Sequence, residues 1–178
     1  MATSNLGRWA STYDLGLDDA QPYGDVHTYE LGADWLEDCL TVEDWGCGKG
    51  YFSNFIDPAR YWGLDGSETP WADGVVDLAE YQSRPDGIFM RHVLEHDPRW
   101  SEILTNAVAS FQERLVLILF TPMADETKQI AWNAKQSVPD ISFCESDITD
   151  HFERMEWTRE DVETITQYGG ETVFRVAR

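Results

Sequence analysis

Thr41 to Gly50, TVEDWGCGKG, is the stretch that decides how this chain folds. Thr41–Trp45 reads as a short strand that breaks into three alternating glycines. Gly46, Gly48 and Gly50 let the backbone turn sharply and approach a ligand where a Cβ would intrude. Asp44 stands just before the first glycine. Gly50–Ile56 then opens a brief helix that Asp57-Pro58 ends. Tyr61–Asp65 (YWGLD) is a second strand, closed by Asp65, 19 residues beyond Gly46. An acid at that distance can accept both hydroxyls of a ribose. A structural turn would also use a lone glycine loop. The strand before it, the helix after it and the acid beyond it together favour an adenosyl ligand.

Working outward, Gly66–Gly74 is only nine residues long and contains Pro70. It leads to a third strand at Val75–Leu78 and a fourth at Asp86–Arg91. Asp97-Pro98 has the form of a cap followed by proline at the first helical position, opening a helix from Arg99 to about Glu113. Leu115–Phe120 (LVLILF) is the continuous apolar run of a central parallel strand covered on both faces. Upstream, Leu31, Trp35 and Leu36 give Tyr29–Cys39 helical spacing. Residues 124–137 are weakly helical in pattern, and 138–158 show no dominant period. Asp161–Tyr168 and Glu171–Val176 alternate as the arms of a hairpin turned by Gly169-Gly170.

These elements predict an α/β fold with a Rossmann-like, mostly parallel seven-stranded sheet and a C-terminal antiparallel hairpin. Residues 1–28 form an irregular arm or lid and residues 29–178 a single domain. Ligands on such sheets bind at the carboxyl ends of the strands. A helical crossover needs about ten to twelve residues or more, so the helix between strands two and three is expected to be missing or reduced. Trp71 would then cover the exposed sheet face or lie against an adenine.

Composition narrows the function. The chain of 178 residues is 42% hydrophobic, enough for one sizeable core. There are 33 acids against 13 bases, a formal net charge of −20, and no Lys/Arg cluster stands ready to neutralise phosphates. Nucleic acid and anionic membrane surfaces are therefore disfavoured partners; a cationic ligand would be tolerated better. The longest apolar run, six residues, is far short of the ~20 that a membrane helix needs. The start, MATSNLGRWA, lacks a secretory apolar stretch. Cys39, Cys47 and Cys144 show neither CxxC nor zinc spacing. A reduced, cytoplasmic protein is the expectation.

The segment EDWGCGKG, followed by YWGLD, VVDL and DGIFMRHVLEH, resembles the successive motifs of class I S-adenosylmethionine-dependent methyltransferases. In size and style the chain also resembles the small stand-alone members that bacteriophages carry. The resemblance implies S-adenosylmethionine as cofactor. It would place Gly46, Gly48 and Gly50 under the methionine part, Asp65 at the ribose, and Asp77 with Leu78 along the adenine, with Cys47 and Gly66 also binding the cofactor. Asp44 would support the loop and cofactor, while Arg91 and His92 would border the methyl group. Tyr23, His27 and Tyr29 could close over the site.

His92-Val-Leu-Glu95-His96 permits three readings. It matches an inverted zinc-peptidase pattern, but at a strand's end rather than on a helix. Glu95 and His96 could hold a divalent metal. The favoured reading commits no metal: His92 lines the pocket as a base, and Glu95 and His96 order the loop. An unperturbed histidine titrates near neutrality, which suits that role. Thr121-Pro122 would border the substrate mouth or form a plain turn. RHV stands where amino-methylating DNA enzymes carry Asn/Asp-Pro-Pro-aromatic, so a small polar acceptor is expected. The alternatives are a binding protein without methyl transfer and a nicotinamide oxidoreductase; for the latter, Tyr51 stands where a third glycine would fall.

Overall fold

The computed structural model describes residues 5–13, 20 and 22–178. Strands β1 (Val42–Trp45), β2 (Tyr61–Asp65), β3 (Gly74–Val75), β4 (Gly87–Arg91), β5 (Arg114–Leu119), β8 (Glu156–Glu163) and β9 (Gly170–Ala177) form one sheet. Its order is β3-β2-β1-β4-β5-β9-β8. The first five run parallel, and β9 pairs antiparallel with both β5 and β8. This is the seven-stranded, mostly parallel sheet with the antiparallel ending that the sequence predicts.

The central strands are apolar because both faces are covered. Phe89, Val116 and Ile118 face helix α2 (His27–Trp35), while Ile88, Met90, Leu115, Leu117 and Leu119 face helix α3 (Trp100–Ser110) and the short α4 (Glu145–Thr149). Gly32 lets α2 settle on the sheet: a Cβ there would lie 2.4 Å from the Phe89 ring. Just before α3, Asp97 Oδ1 accepts the Arg99 N–H at 2.8 Å, but the helix itself begins at Trp100, with Arg99 at its N-cap and no side-chain cap hydrogen bond, so the expected Asp97 cap is replaced by a turn leading into the helix.

Several details differ from the sequence reading. A short helix, α1 (Ala10–Tyr13), lies in the arm expected to be irregular, α2 runs over His27–Trp35 rather than Tyr29–Cys39, and α3 ends at Ser110 rather than near Glu113. The third strand is two residues, Gly74–Val75, shorter than Val75–Leu78 and displaced towards the turn. The segment after Gly50 is one 3-10 turn, Tyr51–Asn54. Residues 124–137 are not helical: Lys128–Asn133 is β6, paired antiparallel with β7 (Val138–Ser142) as a separate two-stranded sheet. Polar Lys128, Gln129 and Asn133 had masked the strand alternation. The hairpin is shifted as well, because β8 begins at Glu156 and its connection spans 164–169 rather than Gly169-Gly170 alone.

No helix joins β2 to β3, as the short connection requires. Asp73 closes the gap instead, its Oδ2 accepting the Gly63 N–H at 2.7 Å. With no helix above them, Trp62 and Val75 stay half exposed. Among the described residues, no helix is long and apolar enough to cross a membrane.

Candidate active site

The glycine loop turns as its composition demands. Gly46, Gly48 and Gly50 have φ of +81°, +55° and +67°, the left-handed region that glycine enters freely. Their surroundings differ. A Cβ on Gly46 would strike Val93 at 2.4 Å, and one on Gly50 would strike Trp71 at 2.5 Å. Only at Gly48 do the nearest side chains come from the arm, with Tyr23 at 3.3 Å and Tyr13 at 3.5 Å. Gly46, Cys47 and Gly48 line a cavity of about 570 Å³ at the carboxyl ends of the strands; Gly50 and Trp71 lie outside it. Trp71 therefore covers the loop, and Gly50 makes room for it.

Asp65 ends β2 at this cavity. Its Oδ2 accepts the Gly48 N–H at 3.0 Å and the Tyr13 hydroxyl at 3.4 Å, and its Oδ1 accepts the Ser67 N–H at 2.8 Å. Burial pushes its carboxyl up to about 6, against the opposing pull of those N–H donors. Asp44 is buried beside it, accepting the Tyr61 hydroxyl at 2.9 Å. Burial drives it up to about 7, with Tyr61 pulling the other way. Two buried acids in one wall suit a cation, which would restore their ionisation. Tyr23 adds a buried hydroxyl that has no hydrogen-bond partner among the described residues.

Other expected residues form walls rather than free ligands. Asp77 receives a bidentate pair from Arg99, at 3.0 and 2.9 Å, beside Leu78 on the cavity. Gly66 lines the cavity and accepts the Gly7 N–H through its carbonyl at 2.8 Å. Thr121 and Pro122 fasten the β6–β7 hairpin, bonding to Ile141 O and Ser142, and do not line the cavity.

At the end of β4, Arg91 and His92 meet Glu171 of β9. Arg91 Nη2 and His92 Nε2 each lie 2.5 Å from Glu171 Oε1, while Thr28 donates to Oε2 at 2.6 Å. Arg91 also lies over the Tyr29 ring and donates to its hydroxyl at 2.9 Å. His92 holds φ at +57°, which costs a non-glycine residue about 1–3 kcal/mol. It lines the cavity, as expected. It does not titrate near neutrality, however, because burial and the adjacent Arg91 charge push it down to about 4. Burial opposes ionisation of Glu171, yet the His92 hydrogen bond and the Arg91 charge hold its carboxyl below the usual range.

The next turn carries Glu95 and His96, joined to partners that the sequence reading did not identify. His96 Nδ1 lies 3.0 Å from the Pro139 carbonyl and 3.3 Å from Asp140 Oδ1, both on β7. Asp140 Oδ2 accepts the Tyr168 hydroxyl at 2.9 Å. The only available signal was an acid inside the otherwise apolar run Val138–Ile141, on a strand buried at every position. Glu95 turns inward: Oε1 accepts the Phe120 N–H at 2.6 Å, and Oε2 has no partner among the described residues. Burial raises it to about 7.

The arm closes over these groups. Asn5 donates to His96 O at 2.7 Å, the Trp9 N–H donates to Ser67 Oγ at 3.0 Å, and the Trp9 and His96 rings are 5.1 Å apart. Of the proposed lid residues, Tyr23 and Tyr29 line the cavity, whereas His27 is exposed and pairs with Glu30 at 3.5 Å. Leu6, Trp132 and Ile165 add exposed apolar surface at the cavity.

A family model described as a methyltransferase domain matches residues 27–167. None of the curated proteins compared with the chain matches it. Among solved structures, the 1,6-didemethyltoxoflavin-N1-methyltransferase of Burkholderia thailandensis, with bound 1,6-didemethyltoxoflavin and S-adenosylhomocysteine, gives a TM-score of 0.70 at 16% identity. That match covers 96% of this chain and 85% of that one. The magnesium protoporphyrin IX methyltransferase of Synechocystis PCC 6803, with bound SAM, gives 0.64 at 19% identity, covering 96% and 89%. The N-methyltransferase NodS of Bradyrhizobium japonicum WM9, in complex with S-adenosylhomocysteine, gives 0.58 at 17%, covering 85% of each. At these identities the likeness establishes the fold.

Proposed function

This chain belongs to the methyltransferase-domain family, and from that premise we propose that it transfers a methyl group from S-adenosylmethionine to a small organic acceptor. The observation that carries this reading is the cavity wall built by left-handed Gly48, Asp65 and Asp44 at the ends of β1 and β2. The fit is chemical. Two buried acids with raised pKa values await a positive charge, and the unpartnered Tyr23 hydroxyl awaits a polar one. When bound, S-adenosylmethionine supplies an electrophilic methyl on a sulfonium.

The protein's part is to bind, orient and exclude water. Asp65 would exchange its Tyr13 contact for a ribose hydroxyl, while the Ser67 and Gly48 amides hold its carboxylate in place. Arg91 ties α2, β4 and β9 together through Thr28 and Glu171, fixing His92 at the methyl-transfer end. The 5–13 arm would exclude water through Trp9 and Tyr13. An acceptor would lie beside Phe120, His92 and the β6–β7 hairpin, which line the same cavity. There Trp132, Ile165 and Leu6 favour a flat, largely apolar body, where the sequence suggested a polar one. The neighbours' bound or named compounds, 1,6-didemethyltoxoflavin and magnesium protoporphyrin IX, are ring systems of this kind. Three free cysteines, two of them buried, agree with a reducing compartment.

The test is incubation with isotopically labelled S-adenosylmethionine and a panel of ring-bearing small molecules, with mass detection of methylated product. Transfer to at least one acceptor is expected. Binding of the cofactor without transfer to any acceptor would support a silent binding protein instead.

A further inference from the structure

We propose that His96, held by Asp140 and the Pro139 carbonyl, is the general base that takes the proton from a ring hydroxyl of the acceptor. This inference rests on the methyltransferase reading above and assigns the acceptor's reacting group.

Three observations carry it. First, the ring is oriented for the task. Its Nδ1 faces two acceptors, Pro139 O at 3.0 Å and Asp140 Oδ1 at 3.3 Å, so Nδ1 carries the hydrogen. That leaves Nε2 as a lone-pair acceptor with no partner among the described residues, on a ring that lines the cavity. Trp9 and Phe120 pin that ring, with centroids at 5.1 and 5.4 Å. Asp140 is itself held by Tyr168, so base, orienting acid and support form one chain.

Second, the charges balance at His96 and not at His92. Glu171 is already neutralised by Arg91 at 2.5 Å, so protonating His92 would add a second cation beside that arginine. Among the described residues, His96 is the only cationic partner of Asp140, and protonating it completes a neutral pair. The groups facing His96 agree. Asp140 comes from β7 and Tyr168 from the β8–β9 connection. Glu95 and His92 lie on its own segment, and from the described part of the arm Asn5 and Trp9, both neutral, touch it. Burial alone would lower the His96 pKa, but the Asp140 hydrogen bond and the Glu95 charge raise it.

Third, the net charge of −20 and the acidic lining favour an acceptor that arrives carrying its proton; a phenolate enters less readily but needs no base once bound. In the step itself the hydroxyl oxygen's lone pair forms the new C–O bond. The C–S bond breaks with its electron pair going to sulfur, which leaves as a neutral thioether, and the O–H proton moves to Nε2. Asp140 stabilises the imidazolium, which returns the proton to water after product leaves.

The test compares wild type, His96→Gln and Asp140→Asn on phenol and 4-nitrophenol, with S-adenosylhomocysteine affinity measured for each. Gln keeps an N–H for the Pro139 carbonyl. At about pH 8.5 phenol retains its proton, whereas 4-nitrophenol is ionised. His96→Gln should slow methylation of phenol by roughly 10²–10⁴-fold, slow that of 4-nitrophenolate less than about tenfold, and leave S-adenosylhomocysteine affinity unchanged. In ring nitrogen NMR, His96 should show the Nδ1–H form, and Asp140→Asn should lower its pKa. Equal losses on both phenols, or no methylation of either by a wild type that binds S-adenosylhomocysteine, would overturn the proposal. Absence of S-adenosylhomocysteine binding would instead overturn the methyltransferase reading beneath it.

Discussion

Three alanine substitutions separate backbone strain from ligand contact. Gly169 has φ of +80° and open space where a Cβ would go, so Gly169→Ala reports the left-handed cost alone, about 1–2 kcal/mol. In a chain of this length that lowers the melting temperature by about 2–8 °C, at roughly 2–4 °C per kcal/mol. Gly46→Ala adds a methyl 2.4 Å from Val93 Cγ2, and repacking should bring a further ~1–3 kcal/mol. Gly48→Ala places its methyl 3.3 Å from Tyr23 Cε2, a tight contact that the Tyr23 ring must relieve by shifting slightly, so its stability loss should lie between those of Gly169→Ala and Gly46→Ala. Its Cβ points at the cavity wall, so S-adenosylhomocysteine affinity should drop by about tenfold or more, equivalent to ~1.4 kcal/mol. Melting curves give the first quantity and calorimetry the second. If Gly48→Ala binds as tightly as Gly169→Ala, the loop does not cradle the ligand, and the reasoning fails.

Other expectations follow from the same contacts. Asp65→Ala should weaken S-adenosylhomocysteine binding by roughly 2–4 kcal/mol yet scarcely affect a 2′,3′-dideoxy analogue; equal losses would remove Asp65 from the ribose. Burial raises the carboxyls of Asp44, Asp65 and Glu95 to about 7, 6 and 7. The folded state therefore binds more protons than the unfolded one, and their contribution to stability declines as pH rises from the ordinary carboxyl range through about 6–7. His92, lowered to about 4, opposes this by destabilising the fold below its ordinary value; His96, raised, and His151, lowered, offset each other in direction. Glu171 and Asp140, both lowered, also oppose the trend but act mainly below about pH 5; above it the three raised carboxyls outweigh His92, so the ligand-free melting temperature should fall from about pH 5 to about 7.5, and Asp44→Asn should flatten the slope. Parallel profiles for wild type and Asp44→Asn would contradict the assignment. Trp9→Ala removes the arm's stacking on His96 and should speed S-adenosylhomocysteine release about tenfold; an unchanged rate in stopped-flow would show that the arm is no lid.

The sequence carried the parallel sheet because its signals are local. LVLILF is apolar at every position since helices cover both faces of β5, and Gly46-Cys-Gly-Lys-Gly50 needs left-handed backbone wherever it occurs. The missing crossover was legible by counting residues between Asp65 and Val75. The β6–β7 hairpin was not, because β6 is exposed at most positions and lacks the alternation that burial imposes. The half of the site that depends on chain-distant pairing was hidden for a related reason. Nothing local couples His96 to Asp140, 44 residues later, or His92 to Glu171 on β9. His92 lines the cavity, but its titration depends on burial and Arg91, which the sequence spacing does not reveal.

The proposed function stands on an adenosyl ligand in the cavity above Gly48 and Asp65. Calorimetric titration of the wild-type chain with S-adenosylhomocysteine, and separately with NADH, tests it most directly. Saturable one-to-one binding of S-adenosylhomocysteine and no comparable heat with NADH are expected. Binding of NADH alone, or of neither ligand by folded protein, would contradict it.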